Sequence, residues 1–328
     1  MNQVASLATR ASAQSIDASA LRRHTLRDAV LRNGTKAAAI TVLLLLAGVI
    51  VTLIEGSWLA LSTFGPGFLS TEKWNPVTEE FGALAPIYGT IVTSIIAMVI
   101  GIPISLGIAI FLTELCPPRL KRGISTAIEL LAGIPSIIYG IWGLFVLAPF
   151  LQAHVQPLVI DAFAGVPLLG VLFAGPPYGI GVFTAGIILS IMVLPYITSV
   201  TRDVFETVPP VLKESAYGLG CTTWEVVTKV VLPFTRTGVI GGIMLGLGRA
   251  LGETMAVTFV IGNAHRISGS ILAPGTTISA SIANEFTEAE TELYSSSLIA
   301  LGLLLFVITF IVLSIARFML YRLKQKAG

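Results

Sequence analysis

The chain has 328 residues, of which 54% are hydrophobic and only 12% are charged, with a formal net charge of +2. A soluble domain carries about 25% charged residues, so this composition excludes a soluble protein and predicts a polytopic membrane protein. Several apolar runs are long enough to cross a bilayer of about 30 Å as helices of about 20 residues, and none alternates like a barrel strand. The predicted fold class is therefore all-α, with six transmembrane helices.

The N-terminal segment, residues 1–36, is polar and carries six Lys or Arg residues before the first apolar run. A secretory signal would be shorter and would place a cleavage site after its apolar core, so we predict a cytoplasmic tail. The first predicted span covers residues 37–54, at the start of a membrane domain placed at 37–320. Residues 56–80 contain tryptophans and Gly-Pro and Asn-Pro turns, which indicates an external loop.

The second and third predicted spans cover residues 87–112 and 125–147, with a kink expected near Pro103. The third contains the segment GIPSIIYG, residues 133–140. A helix break there would free backbone groups that lipid cannot satisfy, so this segment should face protein or a pore. Residues 149–179 are apolar but contain five prolines, which predicts a re-entrant or interfacial external loop.

The last three predicted spans cover residues 180–200, 238–262 and 293–316. A polar segment, 201–236, separates the first two of these spans and is predicted to be a cytoplasmic loop. The chain ends in a short basic tail, residues 321–328, which is also predicted to be cytoplasmic.

The distribution of basic residues gives the orientation. With the N-terminus inside, seventeen Lys and Arg residues fall on the cytoplasmic side, and only Lys73 and Arg266 fall outside. This asymmetry satisfies the positive-inside rule and predicts that both termini are cytoplasmic. Cys116 and Cys221 then lie on the reducing side, so no structural disulfide is expected.

The sequence indicates no covalent chemistry. His24, His154 and His265 are scattered over the tail and the external loops, without the spacing of a metal site or a catalytic triad. No GxxxxGK[ST] motif occurs, so the chain is not expected to bind ATP through a P-loop. We predict no catalytic residue, no metal, no cofactor and no nucleic-acid partner; an ATPase, if needed, must be a separate subunit.

The polar segment contains a helical hairpin. Pro209-Pro210 precedes ESAYGLG, residues 214–220, and Val-Val-Leu-Pro follows after nine further residues, ending at Pro233. The pattern predicts a short helix, a turn at Gly220 and a second short helix, because glycine takes the left-handed conformation of a helix stop without steric penalty. Two interpretations stay open: a rigid knob that another protein pushes, or an amphipathic hairpin lying on the membrane surface.

The fifth predicted span contains the charged pair Arg249 and Glu253. A charge at this depth costs about 2.5–3.5 kcal/mol on insertion scales and indicates function by default. On a continuous helix the pair would lie one turn apart, on the same face as a stripe of small residues: Gly238, Gly242, Gly246 and Ala256. The pair could lock helix packing, or the guanidinium could present its donors to a permeating oxyanion. In the second case Glu253 would favour hydrogen phosphate, which can donate a proton, over sulfate, which cannot.

Together, GRALGETMAV at 248–257, the hairpin spacing and the segment 133–140 resemble the PstC-type permease family of bacterial phosphate ABC importers, over residues 56–320. Ser215 replaces the alanine that is usual in the hairpin motif. The resemblance implies a type I ABC importer permease fold in the bacterial inner membrane. It also implies substrate-path and ATPase-coupling positions; these are Arg249 and Glu253, and Glu214, Ala216, Gly220, Leu232 and Pro233.

The same resemblance implies several partners: a homologous second permease forming a heterodimer, a dimer of ATP-binding subunits, and a phosphate-binding protein outside the membrane. Two other functions stay open at this stage. A permease of the same architecture could carry another oxyanion, such as sulfate or molybdate. A secondary carrier that needs no ATPase is the third possibility, although the inverted repeats common among carriers are not visible.

Overall fold

The computed structural model describes residues 18–167 and 169–325. Residues 1–17 of the predicted basic tail and 326–328 of the predicted C-terminal tail lie outside the described residues, as does Leu168 of the predicted external loop. The chain divides into two compact units, Met1–Glu55 and Gly56–Gly328.

The first unit contains most of a single long helix. This helix begins at Ala18 and ends at Phe64, and its part from Arg27 is long and apolar enough to cross a membrane. Leu43, Leu44 and Leu45 are each more than 60% exposed within the protein. Their exposure suits a helix surrounded by lipid, in which apolar side chains need no protein partner.

Within the described ranges, six helical segments are long and apolar enough to span a bilayer. We number them spans 1 to 6: Arg27–Phe64, Leu84–Leu115, Ser136–Phe163, Val182–Glu206, Thr223–Leu251 and Glu292–Arg322. The helices that make up the structure are Ala18–Phe64, Gly67–Ser70, Leu84–Ile110, Pro118–Ala132, Ser136–Trp142, Ala148–Phe150, Gln156–Phe163, Leu169–Leu172, Val182–Glu206, Pro210–Gly218, Thr223–Val226, Leu232–Leu251, Met255–Ile261, Ile278–Glu285 and Glu292–Gln325. Four π-helical turns lie between them: Phe111–Leu115, Gly143–Leu147, Leu151–Val155 and Val227–Val231.

Span 4 is the centre of the second unit. It packs along span 2 on one side and along span 5 on another. Ala185, Ile188, Val193 and Ile197 of this span are completely buried. A Cβ added at Gly101 of span 2 would come within 3.0 Å of the Val193 side chain, so the two helices approach closely at this glycine.

The third predicted span differs from the structure. The helix Pro118–Ala132 ends before Pro135, and span 3 begins only at Ser136 and continues to Phe163. The break follows from the Gly133-Ile-Pro135 sequence, because proline lacks the N–H that a continuing helix needs and biases the residue before it away from helical angles. Much of the predicted external loop 149–179 is therefore helical, and a short helix, Leu169–Leu172, follows within it.

The side opposite the polar hairpin carries an aromatic cluster. A small antiparallel pair of strands, Trp74–Asn75 and Glu80–Phe81, holds Trp74 against Phe81. The Glu285 Oε2 atom accepts hydrogen bonds from Trp74 Nε1 and from Tyr294 Oη, both at 2.6 Å. Burial raises the pKa of the Glu285 carboxyl and lowers the pKa of His265 to about 4, so His265 is neutral at pH 7.

Span 2 approaches the loop before helix Ile278–Glu285 at Gly89. A Cβ at this position would overlap the carbonyl oxygen of Thr276, and the adjacent Thr90 Oγ1 accepts the N–H of Ile278 at 3.0 Å. We expect Gly89→Ala to destabilise the protein by about 3 kcal/mol or more, because backbone on both sides cannot yield. Gly107→Ala in the same helix has open space around it and is the matched control. Equal thermal midpoints of the two purified variants would contradict this packing.

Candidate functional site

Two helix breaks lie side by side inside the second unit. The first follows Ala132, before the helix Ser136–Trp142. The second follows Leu251, before the helix Met255–Ile261. The two short helices contact each other, since a Cβ at Gly140 would lie 3.1 Å from the Ala256 Cα. The segments 133–140 and 248–257, distant in sequence, are thus brought together.

Two tyrosines satisfy the backbone at the first break. Tyr139 Oη donates to the carbonyl of Leu131 at 2.9 Å, and Tyr196 Oη donates to the carbonyl of Ala132 at 3.4 Å. The last carbonyls of a helix have no partner within it, and lipid supplies none. The hydroxyls therefore stabilise an interrupted helix that could not exist exposed to lipid.

Arg249 lies over the face of Tyr196. Its Cζ atom is 4.9 Å from the centroid of the tyrosine ring, a distance at which cation–π attraction operates. The small residues one, two and three turns before it pack against span 4: Gly246 on Ile197, Gly242 on Val200 and Gly238 on Val204. This small-residue stripe lets span 5 pack closely against span 4 and thereby fixes the position of Arg249 along span 4.

The prediction of one continuous helix through residues 238–262 is wrong. The helix ends at Leu251, and Glu253 lies in the break rather than one helical turn along the same face. Two features account for the end: glycine at 248 and 252 disfavours helix, and the Glu253 Oε1 atom accepts the N–H of Ala256 at 3.4 Å. The carboxylate therefore replaces part of the backbone bonding that a continuing helix would have made.

The contact between Arg249 and Glu253 is loose. The Arg249 Nη2 atom is 3.8 Å from Glu253 Oε2, which is within ion-pair range but too long for a hydrogen bond. The Arg249 side chain is 39% exposed and the Glu253 side chain only 7%. Among the described residues, the structure gives the Arg249 guanidinium no hydrogen-bond acceptor. A pair whose purpose was to lock helices would be expected to close this distance, so the donors of Arg249 remain free for a ligand.

A groove opens beside Arg249. It has a volume of about 610 Å³ and runs between spans 4, 5 and 6. Its walls are mainly apolar, with Met244 and Leu245 from span 5 and Leu313 from span 6. Arg249 and Arg317 are its two charged lining residues. An anion in this groove would meet guanidinium groups and apolar walls. Among the described residues no carboxylate lines the groove itself, and the contact of Glu253 with Arg249 brings its carboxylate next to it.

The polar hairpin begins with a helix closed by a glycine. Helix Pro210–Gly218 starts with proline in its first turn, where the missing N–H costs nothing. At its end the N–H of Cys221 donates to the carbonyl of Ala216 at 3.1 Å, and the N–H of Gly220 donates to that of Tyr217 at 2.9 Å. This pair of bonds is a Schellman motif, and it requires the positive φ of 87° found at Gly220.

The second half of the hairpin is not a separate short helix. It begins with a capping box between Thr222 and Glu225 and continues through the π-helical turn Val227–Val231 into the helix Leu232–Leu251, so it forms the first part of span 5. Pro233, predicted to end the hairpin, lies within this continuous helical segment. The wider π-helical turn leaves room for the proline ring, which would otherwise clash with a carbonyl of the preceding turn.

Ion pairs tie the hairpin and its approach to the neighbouring helices. Lys213 Nζ contacts Glu114 Oε1 at 2.5 Å, and the Glu114 side chain is only 6% exposed. Lys121 pairs with Glu206 at 2.8 Å just before the hairpin. Ala216 packs inward, in a cluster that includes Phe205 and Val231. The hairpin is therefore held as a rigid part of the unit.

The outer face of the hairpin is apolar and exposed. Leu219, Trp224 and Val211 are 86%, 72% and 67% exposed, and Glu214 is exposed beside them. Leu232 is partly buried against the inner cluster, and Pro233 is exposed. Exposed apolar patches of this kind mark contacts with another protein or with a membrane.

Three features of these sites were missed by the sequence reasoning: Tyr196, Arg317 and the ion pair between Lys213 and Glu114. Tyr196 has one available signal, since it is a polar aromatic next to Pro195 inside an apolar span. Arg317 was counted with the basic residues of the tail, and nothing local distinguishes it. The Lys213–Glu114 pair joins positions 99 residues apart and leaves no local pattern.

Residues 101–325 match the family model described as binding-protein-dependent transport system inner membrane component. The chain is 69% identical to the phosphate transport system permease protein PstC of Mesorhizobium japonicum over 308 residues, 94% of each chain. It is 57% identical to the protein of the same name from Pasteurella multocida, covering 93% of this chain and 95% of that one. The fold is similar to that of a chain of a bacterial ABC transporter for alginate, with a TM-score of 0.60, 18% identity and coverage of 92% and 96%.

Proposed function

The chain belongs to the family of binding-protein-dependent transport system inner membrane components, and we propose that it is the permease subunit of an ATP-driven phosphate importer. It is a multi-pass inner membrane protein and a transport subunit rather than an enzyme. As an ABC importer permease it works with separate ATPase subunits and with a binding protein outside the membrane. The high identity to relatives named as phosphate permeases favours phosphate over other oxyanions and over a secondary carrier.

The substrate path is proposed at Arg249. The observation that carries this proposal is the free guanidinium, held over Tyr196 beside an open groove and not hydrogen-bonded to Glu253. Guanidinium presents a planar fork of donors that matches two phosphate oxygens. Irregular backbone at membrane depth is tolerated where it lines a cavity or is buried in protein, and the two adjacent helix breaks fit such a place.

Glu253 is proposed to set the choice between oxyanions. Its buried carboxylate points one oxygen toward Arg249 and the other toward the N–H of Ala256. Hydrogen phosphate can donate its proton to such an oxygen, whereas sulfate has no proton to donate and is repelled by it. Arg249 thus attracts an anion, and Glu253 favours the protonated one.

The remaining partners follow from the two proposed surfaces. One permease supplies only one side of a path at Arg249, and a homologous second permease is proposed to complete it as a heterodimer. The hairpin at 209–233, with exposed Leu219 and Trp224, is proposed as the docking element for the ATPase. The anchoring of Lys213 to Glu114 supports this role, because force reaching a rigid hairpin passes to span 2 rather than bending a loop.

The substrate assignment is tested by transport. In liposomes containing the complete importer, ATP-dependent uptake of labelled phosphate should resist excess sulfate and molybdate and should be suppressed by unlabelled phosphate. Removal of the ATPase subunits should stop it. Uptake that survives their removal would indicate a secondary carrier, and equal competition by sulfate would indicate a general oxyanion permease.

Cytoplasmic termini and a cytoplasmic hairpin are proposed from the positive-inside rule. In a background lacking Cys116 and Cys221, we expect a membrane-impermeant thiol reagent to label Val77→Cys but not Leu219→Cys in spheroplasts. Both positions are highly exposed in this chain, 92% and 86%, so in cells that lack the ATPase subunits access to them depends on the side of the membrane. Lysed spheroplasts, in which both should react, are the control. Labelling of Leu219→Cys from outside would reverse the orientation.

A further inference from the structure

A second site for anions is suggested on the face opposite the hairpin. A pocket of about 260 Å³ lies between residues 174–178, which precede span 4, and the loop 266–273. We call it the vestibule pocket. The polar side chains that line it are Tyr178, Arg266, Ser268 and Ser270.

All four polar side chains of the vestibule pocket can donate hydrogen bonds. Ser268 Oγ accepts the N–H of Ser270 at 3.1 Å, and Ser270 Oγ accepts the N–H of Leu272 at 3.2 Å, so each hydroxyl keeps its proton for a ligand. Among the described residues, the structure gives neither Tyr178 Oη nor the Arg266 guanidinium a hydrogen-bond or ion-pair partner. Among the described residues, none that lines the pocket is a carboxylate. One cation and three hydroxyl donors suit an oxyanion.

The loop that carries these residues is fixed. Glu72 Oε1 accepts the N–H of Ile267 at 2.5 Å, and Tyr88 Oη donates to the carbonyl of Ser268 at 3.2 Å. The N–H of Ile271 donates to the carbonyl of Leu172 at 2.9 Å, which joins the two walls of the pocket. Glu72 thus fixes the loop through the loop backbone, and it forms no ion pair with Arg266 among the described contacts.

We propose that the vestibule pocket binds inorganic phosphate at the outer mouth of the permease, before the anion passes to Arg249. This inference rests on the proposed phosphate function. The free Arg266 is one of two basic residues assigned to this side, and the other, Lys73, is already paired with Glu80 at 3.3 Å. A concave pocket lined by one guanidinium and three hydroxyls suits a small anion better than the flat contact of a protein partner.

The binding step is tested by chemical protection. The detergent-purified importer complex, without its binding protein, is treated with phenylglyoxal, and modification of Arg266 is followed by mass spectrometry of its peptide. We expect millimolar phosphate to slow the modification about tenfold relative to chloride at the same ionic strength, as for an anion that occupies the guanidinium donors. Equal rates in phosphate and chloride would overturn the proposal. In a second sample the binding protein is added without phosphate. If it protects Arg266 and phosphate does not, Arg266 is a docking contact instead.

The transport step is tested with Arg266→Gln, and Lys73→Gln serves as the matched external control. In liposomes supplied with phosphate-loaded binding protein, we expect Arg266→Gln to lower phosphate uptake about tenfold, the loss of one charge-assisted contact. Stimulation of ATP hydrolysis by the binding protein should stay unchanged, since docking does not use the pocket. Lys73→Gln should leave both quantities unchanged.

The outcomes separate the two proposals. The vestibule pocket is overturned if Arg266→Gln loses uptake and ATPase stimulation in parallel, or if its uptake is normal. In both cases, phosphate uptake by the unaltered importer still upholds the permease function. Absence of ATP-dependent phosphate uptake by the unaltered importer would overturn the permease function, whatever Arg266 binds.

Discussion

Replacement of Arg249 by methionine together with Glu253 by glutamine is expected to leave the importer assembled while it carries almost no phosphate. The single change Arg249→Met would strand a carboxylate that is only 7% exposed, at a cost of about 3–5 kcal/mol, and would confuse misfolding with lost transport. Glutamine at 253 removes that charge and keeps an oxygen for the N–H of Ala256. Compared with Glu253→Gln alone, the double variant therefore isolates what Arg249 does for the anion.

The expected loss of uptake in the double variant is about 10- to 100-fold, which corresponds to charge-assisted hydrogen bonds of about 1.5–3 kcal/mol. Complex yield, ATP hydrolysis stimulated by the binding protein and uptake of labelled phosphate are measured on the same preparation. Met244→Leu, a volume-conserving change in the same groove, is the control and should transport normally. Uptake near the unaltered level in the double variant would leave Arg249 and Glu253 with a packing role only.

Two single changes refine this expectation. Arg249→Lys should also transport poorly, because a point charge replaces the planar fork and the shorter reach loses the stacking on Tyr196. Glu253→Gln should transport phosphate more nearly normally, but sulfate should now compete with phosphate, since the negative charge that repels a dianion is gone. If sulfate competes no better than in the unaltered importer, Glu253 does not select the substrate.

The sequence predicted the class of the fold well, because the cost of burying charge in lipid limits where apolar runs can begin and end. Each of the six spans found among the described residues overlaps an apolar run of the sequence, but spans 3 and 5 are displaced along the chain from the predicted 125–147 and 238–262. The turn at Gly220 follows from the steric rule for positive φ. What hydropathy could not place is the interruption of these runs. The break after Leu251 depends on the hydrogen bond that the Ala256 N–H donates to the Glu253 side chain, and the segments on both sides of it are apolar.

The candidate site shows the same division. Arg249 can be identified in the sequence as an intramembrane charge. The sequence does not show that the helix ends at Leu251, and it is this end that places Glu253 off the helix and leaves Arg249 without a hydrogen bond to it. Tyr196 connects the two breaks, since its hydroxyl donates a hydrogen bond to the carbonyl of Ala132 and its ring makes a cation–π contact with Arg249. Such contacts arise between segments distant in the chain, and no local periodicity encodes them.

The turn of the hairpin at 209–233 offers a test in which only backbone conformation changes. Gly218 and Gly220 both have open space where a Cβ would be added, but only Gly220 has a positive φ. Alanine at Gly220 therefore costs about 1–2 kcal/mol in the left-handed conformation, and a β-branched residue costs more. Alanine at Gly218, the last residue of the helix Pro210–Gly218, is favourable because alanine has a higher helix propensity than glycine. Any difference between the two alanine variants is a property of the turn.

We expect Gly220→Ala to insert and assemble in the membrane, because the turn lies outside the bilayer and no span is altered. ATPase stimulation by the binding protein should fall about 5- to 30-fold, which is the equilibrium factor for about 1–2 kcal/mol. The reason is that the Schellman hydrogen bonds of Cys221 and Gly220 weaken, so the apolar face formed by Leu219 and Trp224 loses its fixed position. Gly220→Val should lose more, and Gly218→Ala should match the unaltered importer. Normal stimulation in Gly220→Val would mean that the hairpin lies on the membrane surface without transmitting force, because a coupling element must hold one shape while the ATPase pushes against it.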